Sequence, residues 1–315
     1  MVCLNRIIIL PHQSLISRRT YNGASGPDLV WTFQPDGQGG ASWTQNPQPA
    51  SRGQNLNGAF GALTAQSSTK FFSLGGSHQL DNLMSGFTAY DFSSHAWSNS
   101  SSTDVTGSKW IVGGRGHHSS VFGQRGILVF LGGVLTANQS YKSTVGDLPL
   151  ADMGDINIYD IDSGSWYQQK ATGDVPPGRQ QFCSVSTSPS SNSSFEIMIF
   201  GGATNNTYDK DHQSDEAYQS VYVLSLPAFT WFKSPDVASS RRALHTCELA
   251  GKRQMVVVGG VDPYAAQNYV YPWQDPWTNG IGVFDITNLS WTDQYDAKAA
   301  MYEQPTVVAK HYAGT

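Results

Sequence analysis

The sequence predicts an all-β protein assembled from repeated small antiparallel sheets, and three observations predict it. Charged residues make up 14% of the 315 residues, against roughly 25% in an average soluble protein, while Gly and Ser are abundant. An apolar run that ends in Gly-Gly occurs four times, and a phrase that ends in Trp recurs after each run. No segment of useful length shows the apolar spacing of about 3.6 residues that predicts a helix.

The first recurring element is an apolar strand that ends in a glycine pair. Four to six apolar residues suit a strand that is covered on both faces. Two glycines then supply the positive φ and the close backbone approach that are needed where the chain turns away. The four pairs are Gly75 and Gly76, Gly132 and Gly133, Gly201 and Gly202, and Gly259 and Gly260.

The second element is a strand, a turn and a strand that carries Trp. An apolar or aromatic residue stands seven places before each Trp, giving the pairs Tyr90 and Trp97, Tyr159 and Trp166, Leu224 and Trp231, and Phe284 and Trp291. In three copies Asp follows that residue, and its carboxylate is expected to accept hydrogen bonds from the turn's backbone N–H groups. A large indole cannot be buried within its own small sheet, so each Trp is expected to pack against the next sheet.

The whole unit is predicted to contain four antiparallel strands, and such sheets packed in sequence form a ring. "DLVWTFQPDGQGGASW" extends the series back to Trp43. Gly-Gly, then Tyr-Asp or a variant, then Trp resembles the signature of kelch repeats, which are blades of a β-propeller. The phrasing is most similar to exported, often surface-anchored kelch proteins of filamentous fungi.

The resemblance implies a parent fold of about six blades, of which five Trp-bearing blades are visible here. The expected organisation is an N-terminal segment over 1–28 that could supply a remnant strand of a first blade, a propeller over 29–298, and a tail over 299–315 that could add a closing strand. A truncated or incompletely closed ring is therefore expected.

Charge and composition limit the partners. The net charge of −5 and the lack of a Lys/Arg run argue against nucleic-acid binding. No apolar run approaches the roughly 20 residues that span a bilayer, and the N-terminal apolar run is shorter than a signal-peptide core.

The three cysteines, Cys3, Cys183 and Cys247, show neither a disulfide framework nor metal-ligand spacing. Five glycosylation sequons weakly favour a secretory origin; they lie at Asn99, Asn138, Asn192, Asn205 and Asn288.

The predicted binding site is the face on which the long loops accumulate. Insertions after three successive glycine pairs occupy residues 134–154, 203–218 and 261–279, and long loops in compact folds are often functional. The third loop holds five aromatic residues that are predicted to anchor a protein or glycan partner, unless they pack down to rigidify the loop. They are Tyr264, Tyr269, Tyr271, Trp273 and Trp277.

Three further groups have a functional and a structural interpretation. Arg115, Arg179 and Arg242 could attract carboxylates at the channel mouth, although their recurrence favours a role in the turn between blades. The acidic loop "TNNTYDKDHQSDE" fails the EF-hand template, so a solvated loop is favoured over a metal site. His245 and Cys247 share a strand face but lack an identifiable orienting acid, which favours a core His and a small buried Cys over a nucleophile.

The predicted function is a non-enzymatic binding or scaffold module without a cofactor. The first alternative is a propeller enzyme of the galactose-oxidase type or another metal-dependent kelch enzyme. No segment matches the copper-ligand motifs of the oxidases or the Glu, Asp and His series of the iron-dependent kelch proteins. The second alternative is a truncated fragment without function.

Overall fold

The computed structural model of the protein describes residues 7–9, 14–17, 30–36, 41–46, 61–79, 82–83, 86–100, 110–136, 149–204, 216–263 and 275–314. The first sheet, called here the N-terminal sheet, has four antiparallel strands in chain order. They are β1 (Ile7–Ile9), β2 (Ser14–Ser17), β3 (Val30–Pro35) and β4 (Ala41–Asn46). The "RIIIL" segment thus contributes β1, while the domain boundaries at 28 and 298 stay predictions.

Four further sheets of four or five strands follow, each built on an antiparallel meander of four strands, and in the third of them a short extra strand pairs in parallel with the last strand of the meander. Blade 1 contains β5 (Leu63–Gln66), β6 (Lys70–Leu74), a side hairpin of β7 (Ser77–Gln79) and β8 (Asn82–Leu83), β9 (Phe87–Asp91) and β10 (Ala96–Ser100). Blade 2 contains β11 (Trp110–Val112), β12 (Arg115–Ser119), β13 (Ile127–Leu131), β14 (Val134–Thr136), β15 (Asp155–Asp160) and β16 (Ser165–Lys170), with β11 and β14 paired apart from the other four.

Blade 3 contains β17 (Thr172–Gly173), β18 (Cys183–Thr187), β19 (Phe195–Phe200), β20 (Ser220–Leu226) and β21 (Thr230–Val237). Blade 4 contains β22 (Thr246–Ala250), β23 (Gln254–Val258), β24 (Ile281–Asp285) and β25 (Ser290–Thr292). The first strands of the four blades, β5, β12, β18 and β22, lie side by side in chain order. Strands set in this way around a common axis confirm the predicted all-β propeller arrangement, with four blades among the described residues.

The aspartate-led turns join the third and fourth strands as the sequence predicts. The Asp91 carboxylate accepts hydrogen bonds from the N–H groups of Ser93 and Ser94, both at 3.0 Å. Asp160 and Asp285 bind the turn N–H groups that follow them in the same way. The Ser93 hydroxyl, which also donates to Asp91, and the Ser94 N–H hold the pKa of Asp91 below its ordinary value, and the Asp162 N–H does the same for Asp160. Each carboxylate therefore stabilises its own hairpin.

Three of the repeat tryptophans join neighbouring blades, but they pack against the preceding sheet rather than the next one. The Trp166 ring lies 5.0 Å from the ring of Phe87 in blade 1, and the Trp291 ring lies 4.9 Å from that of Phe200 in blade 3. The buried indole of Trp231 donates a hydrogen bond of 2.9 Å to the Met153 carbonyl. The strand register explains why these indoles face the preceding blade. Each Trp pairs with a residue of the third strand that packs toward the preceding blade, and paired residues point to the same face of the sheet.

A disulfide bond joins Cys183 and Cys247, which corrects the prediction that the cysteines form no disulfide framework. The two residues lie on the first strands of blades 3 and 4, with their Cα atoms 5.6 Å apart. Their separation of 64 residues is about one repeat, so they face each other across the blade interface. Cysteine spacing alone does not reveal such a bond, because only the ring arrangement makes the partners neighbours.

The tail forms an α-helix where a closing strand was expected. Helix α1 (Thr306–Ala313) follows Pro305, and its Val308 side chain is completely buried. The Tyr312 hydroxyl is hydrogen-bonded to the Ser225 hydroxyl at 3.1 Å. The tail therefore covers the outer groove between blades 3 and 4 instead of extending a sheet. Within the described ranges, no helix has both the length and the apolar character needed to cross a bilayer.

Candidate binding face

The glycine pairs lie at one end of the propeller, which is called here the glycine end. The N–H of the second glycine donates to a carbonyl of the next blade in three successive interfaces. These bonds join Gly76 to Ile111 at 2.9 Å, Gly133 to Arg179 at 2.9 Å, and Gly202 to Arg242 at 2.7 Å. A Cβ on Gly201 would lie 2.2 Å from the Arg242 carbonyl oxygen, so only glycine permits this close approach.

A second line of backbone hydrogen bonds runs across the blades at the same end. The N–H of Gly113 donates to Gly61, that of Gln181 donates to Gly113, and that of Leu244 donates to Gln181. All four residues have left-handed φ values, which are 70°, 79°, 58° and 57° in chain order. Each of these residues lies just before the first strand of its blade. The repeated hydrogen bonds therefore connect these segments from blade to blade and align the blades at the glycine end.

The three long loops begin at the glycine end. Their roots are fixed by isolated bridges between Val134 and Leu150, between Gln180 and Ala203, and between Ala243 and Val261. The central parts of these loops, 137–148, 205–215 and 264–274, lie outside the described residues. Predicted binding residues Tyr264, Tyr269, Tyr271 and Trp273 fall there, as do sequons Asn138 and Asn205 and most of the acidic loop.

Trp277 is the one predicted aromatic anchor in the described part of the third loop. Its ring lies under the Arg242 guanidinium, with 3.7 Å between the Arg242 Cζ atom and the ring centroid. Its indole N–H donates to the Ser239 hydroxyl at 3.0 Å, and its ring is 5.1 Å from that of Trp291. A Cβ on Gly282 would meet the indole at 2.7 Å. Trp277 therefore fixes the loop root against blade 4 and is half-buried.

Arg179 and Arg242 hold their own glycine turns. Arg179 is completely buried, and its guanidinium donates to the carbonyls of Pro177, Gly201 and Ala217. Arg242 donates to the Gly259 carbonyl at 2.9 Å and forms a close two-pronged ion pair with Asp275. The Arg242 guanidinium lowers the pKa of the Asp275 carboxyl.

Arg115 stands at a different place in its repeat. It is the first residue of β12, whereas Arg179 and Arg242 each precede their first strand by four residues. Its guanidinium donates to the Gly114 carbonyl at 2.9 Å and lies 5.4 Å from the Phe182 ring centroid. Ligand binding by these three arginines stays a prediction.

The histidines near the axis have internal partners. His117 is hydrogen-bonded to the Ser184 hydroxyl of blade 3 at 2.8 Å, and His245 Nε2 lies 3.2 Å from the Phe200 carbonyl. Burial, assisted by the charges of Arg115 and Arg242, lowers the pKa of His245 to about 3. Cys247 is engaged in the disulfide, so this cysteine supplies no free thiolate beside His245.

Three predicted glycosylation sites lie among the described residues, and all three asparagines are exposed: Asn99, Asn192 and Asn288. Asn192 lies in the turn between β18 and β19 with φ of 50°. The Asn288 amide donates to the Asp285 carboxylate at 3.2 Å within its hairpin turn. Within the described ranges, no cluster of three or more His, Cys, Asp or Glu side chains could hold a metal ion.

A buried carboxyl under the tail is a feature that sequence reasoning missed. Glu196 is completely buried and accepts hydrogen bonds from the Ser225 hydroxyl at 3.0 Å and the Gln304 amide at 3.3 Å. Burial raises the pKa of this carboxyl. Its place in "SSFEIMIF", an acidic residue inside an apolar strand, is the signal that could have drawn attention to it.

Among the described residues, four blades set around an axis, with the roots of three long loops at one end, define a β-propeller with a candidate binding face. A kelch repeat-containing protein of Arthroderma benhamiae is 32% identical to the chain over 179 residues, covering 56% of this chain and 23% of that protein. Host cell factor of Drosophila melanogaster is 24% identical over 184 residues, covering 56% of this chain and 11% of that protein. No family model matches the chain.

The chain is therefore similar to kelch-repeat proteins and has a β-propeller arrangement consistent with theirs, and the resemblance to fungal kelch proteins is confirmed by the fungal relative. It spans less than a quarter of the length of either relative.

Proposed function

We propose that the protein is a non-enzymatic scaffold whose glycine end binds a protein or glycan partner through its three long loops. The observation that carries this proposal is the shared position of the loop roots on neighbouring blades. Loops that project from a rigid β scaffold are common binding surfaces. The kelch relatives support a role in protein interaction, and the aromatic residues of the third loop favour a protein or glycan ligand.

The contacts of Trp277 support a division of roles within the third loop. Its stacking on Arg242 and its hydrogen bond to Ser239 hold the loop root on blade 4. A rigid root reduces the ordering entropy that the loop loses when it binds. Tyr264, Tyr269, Tyr271 and Trp273 are then the residues that would contact the partner, and Trp277 positions them.

The disulfide supports an extracellular or cell-surface location. Disulfides persist in oxidising compartments and are rare in the cytosol. Cys183 and Cys247 are both buried within the propeller, where the bond stabilises the fold. The exposed positions of Asn99, Asn192 and Asn288 are compatible with N-linked glycans. Secretion and glycosylation are tested together by mass spectrometry of the protein from its native source after treatment with a glycosidase.

A glycan array and crosslinking to surface proteins of the producing organism test the binding function. Trp273→Ala and Tyr269→Ala are expected to abolish binding without changing the melting temperature. Tyr167→Ala is the matched control, because Tyr167 is an exposed aromatic residue on the outer strand of blade 2. Binding that survives both loop variants, or that Tyr167→Ala removes equally, would contradict the proposed site.

The enzyme alternative has a separate readout. Copper or iron bound in stoichiometric amount to the purified protein would favour a metal-dependent kelch enzyme over a scaffold. A third possibility, a fragment without function, predicts that the purified protein lacks a cooperative unfolding transition. A single sharp transition together with loss of binding in the loop variants would support the scaffold.

A further inference from the structure

The tail covers a row of polar side chains on blade 3, at the end of the blade opposite the glycine end. Residues paired across the strands form this row, which consists of Thr187, Glu196, Ser225 and Thr230. Glu196 and Ser225 are both 0% exposed. The next row on the same face is apolar and belongs to the core cluster between blades 3 and 4. Glu196 is therefore a carboxyl at the edge of an apolar interface.

The chain just before the tail is fixed to blade 4. The Gln254 side-chain amide donates to the Asp296 carbonyl, and the Asp296 N–H donates to the Gln254 side-chain oxygen, both at 2.7 Å. Gln254 is itself buried. Residues 302–313, called here the latch, extend from this fixed point to blade 3.

The helix of the latch is attached through one side. Its Val308 side chain is completely buried in the core cluster, and the Tyr312 hydroxyl is hydrogen-bonded to Ser225 and accepts from the Ala228 N–H at 3.3 Å. Five of the eight residues of α1 are exposed. A helix of this length is marginal in water without packing, so a latch that leaves blade 3 is expected to unfold.

Gln304 and Tyr302 bring the latch into contact with Glu196. The Gln304 amide donates to the Ser194 hydroxyl at 2.7 Å and to Glu196 Oε1 at 3.3 Å, and the Ser225 hydroxyl donates to the same oxygen at 3.0 Å. Among the described residues, Glu196 Oε2 and the Tyr302 hydroxyl are buried without a partner in hydrogen-bonding geometry. The latch therefore closes over a carboxyl whose hydrogen bonds are incomplete.

We infer that the latch is a pH-sensitive device, which is closed while Glu196 is protonated and leaves blade 3 when this carboxyl ionises. Ionisation transfers the proton to solvent and leaves a buried negative charge whose hydrogen bonds come from neutral donors. Such a charge is costly to bury, whereas release of the latch brings water to it. Burial raises the pKa of Glu196, as expected of a closed state that favours the neutral carboxyl. Release uncovers the groove between blades 3 and 4 at the end away from the long loops.

The side chains that surround Glu196 are neutral. They are Thr187 of β18, Ser194 of the turn before β19, Ser225 of β20, and Tyr302, Gln304 and Tyr312 of the latch. Burial and the neighbouring Glu196 raise the pKa of Tyr302, so this phenol stays neutral. The charged Glu303 and Lys310 of the latch are exposed, and the His311 ring lies 5.6 Å from that of Phe232.

Hydrogen exchange measured by mass spectrometry tests the latch in the full-length protein. The protection factor of the α1 amides, taken relative to an unstructured peptide at the same pH, is expected to fall from acid to neutral pH. The fall is up to about tenfold for each pH unit between the ordinary pKa of Glu and the pKa of Glu196 in the closed form, because release is coupled to the loss of one proton. Amides of β19 and β20 are expected to stay protected over the same range.

Glu196→Gln is expected to keep the latch closed at neutral pH and to remove this pH dependence. Glu303→Gln and His311→Gln are the matched controls, since they remove the other groups of the latch that titrate between acid and neutral pH. Both are expected to keep the pH dependence of the wild type. Val308→Ala is expected to lower the protection factor at every pH, which shows that the measurement detects release.

Three results would overturn the inference. The first is a wild-type protection factor in α1 that does not change with pH, a result that needs no variant. The second is a fall that Glu196→Gln retains or that either control removes. The third is a loss of protection in β19 and β20 together with α1, because the blade would then unfold as a whole.

Discussion

Cys183 and Cys247 connect the first strands of blades 3 and 4 through a disulfide that lies within the core. The bond closes a segment of 64 residues that includes all the other strands of blade 3 except β17. It therefore restricts the unfolded chain over a full repeat and holds two blades together beside the axis.

Removal of this bond is expected to destabilise the protein by about 4 kcal/mol, since chain entropy lost on crosslinking grows with the length of the closed segment. The test compares urea unfolding of the wild type with that of the Cys183→Ala and Cys247→Ala double variant. Cys3→Ser is the control, because it leaves the bond intact. If reducing agent lowers the stability of the double variant as much as that of the wild type, the disulfide is not the cause.

Trp231→Ala is expected to cost about 3–5 kcal/mol, because a completely buried indole is lost from the interface between blades 2 and 3. Trp97→Ala is the matched control at the equivalent position of blade 1. Trp97 is half-buried and packs on Phe71 and Tyr90 of its own blade. Chemical denaturation gives both free energies of unfolding. Equal losses would contradict a special role for the contact between blades.

Trp231→Phe separates the hydrogen bond from the packing of the ring. The smaller ring keeps part of the apolar contact but leaves the Met153 carbonyl without the indole donor, which is expected to cost about 1–3 kcal/mol. A loss as large as that of Trp231→Ala would show instead that the volume of the ring dominates.

The blades could be predicted from the sequence because their signals are local and repeated. The glycine pairs and the Trp phrases each fall within about ten residues, and Asp91, Asp160 and Asp285 bind their own turns. The features that escaped depend on contacts between repeats. Cys183 meets Cys247, and Trp231 meets Met153, only after the ring has formed. The tail helix escaped for a similar reason, because its stability comes from the groove that it covers.

Leu244→Gly is expected to stabilise the protein slightly. Leu244 is 55% exposed and has φ of 57° at a place where blades 1 and 2 have Gly61 and Gly113. The left-handed conformation costs a non-glycine residue roughly 1–2 kcal/mol. The entropy that glycine loses on folding offsets about 0.5–1 kcal/mol of the gain.

Val307→Gly is the control for this change, since Val307 is an exposed apolar residue in helix α1. It is expected to destabilise the protein, because glycine is unfavourable inside a helix. Thermal unfolding followed by circular dichroism measures both variants. A fall in melting temperature for Leu244→Gly would mean that its side chain contributes more than the strain costs.

Glu196 is expected to make stability depend on pH. Its carboxyl lies beneath the tail among Ser194, Ser225, Gln304 and Tyr302, and its hydrogen bonds come from neutral donors. Burial raises its pKa in the folded protein, so the folded state binds this proton more tightly than the unfolded state does. The stabilisation that comes from this tighter proton binding is complete below the ordinary pKa of Glu. It is lost as the pH rises through the pKa that Glu196 has in the folded protein.

Glu196→Gln removes this ionisation and is expected to make the protein more stable than the wild type at neutral pH. The free energy of unfolding should then vary less between acid and neutral pH. Glu303→Gln is the control, because Glu303 is an exposed carboxyl in the same tail. Stability measured by urea unfolding across this pH range decides the matter. If the advantage of Glu196→Gln is greatest in acid, or if Glu303→Gln produces it equally, the buried carboxyl is not responsible.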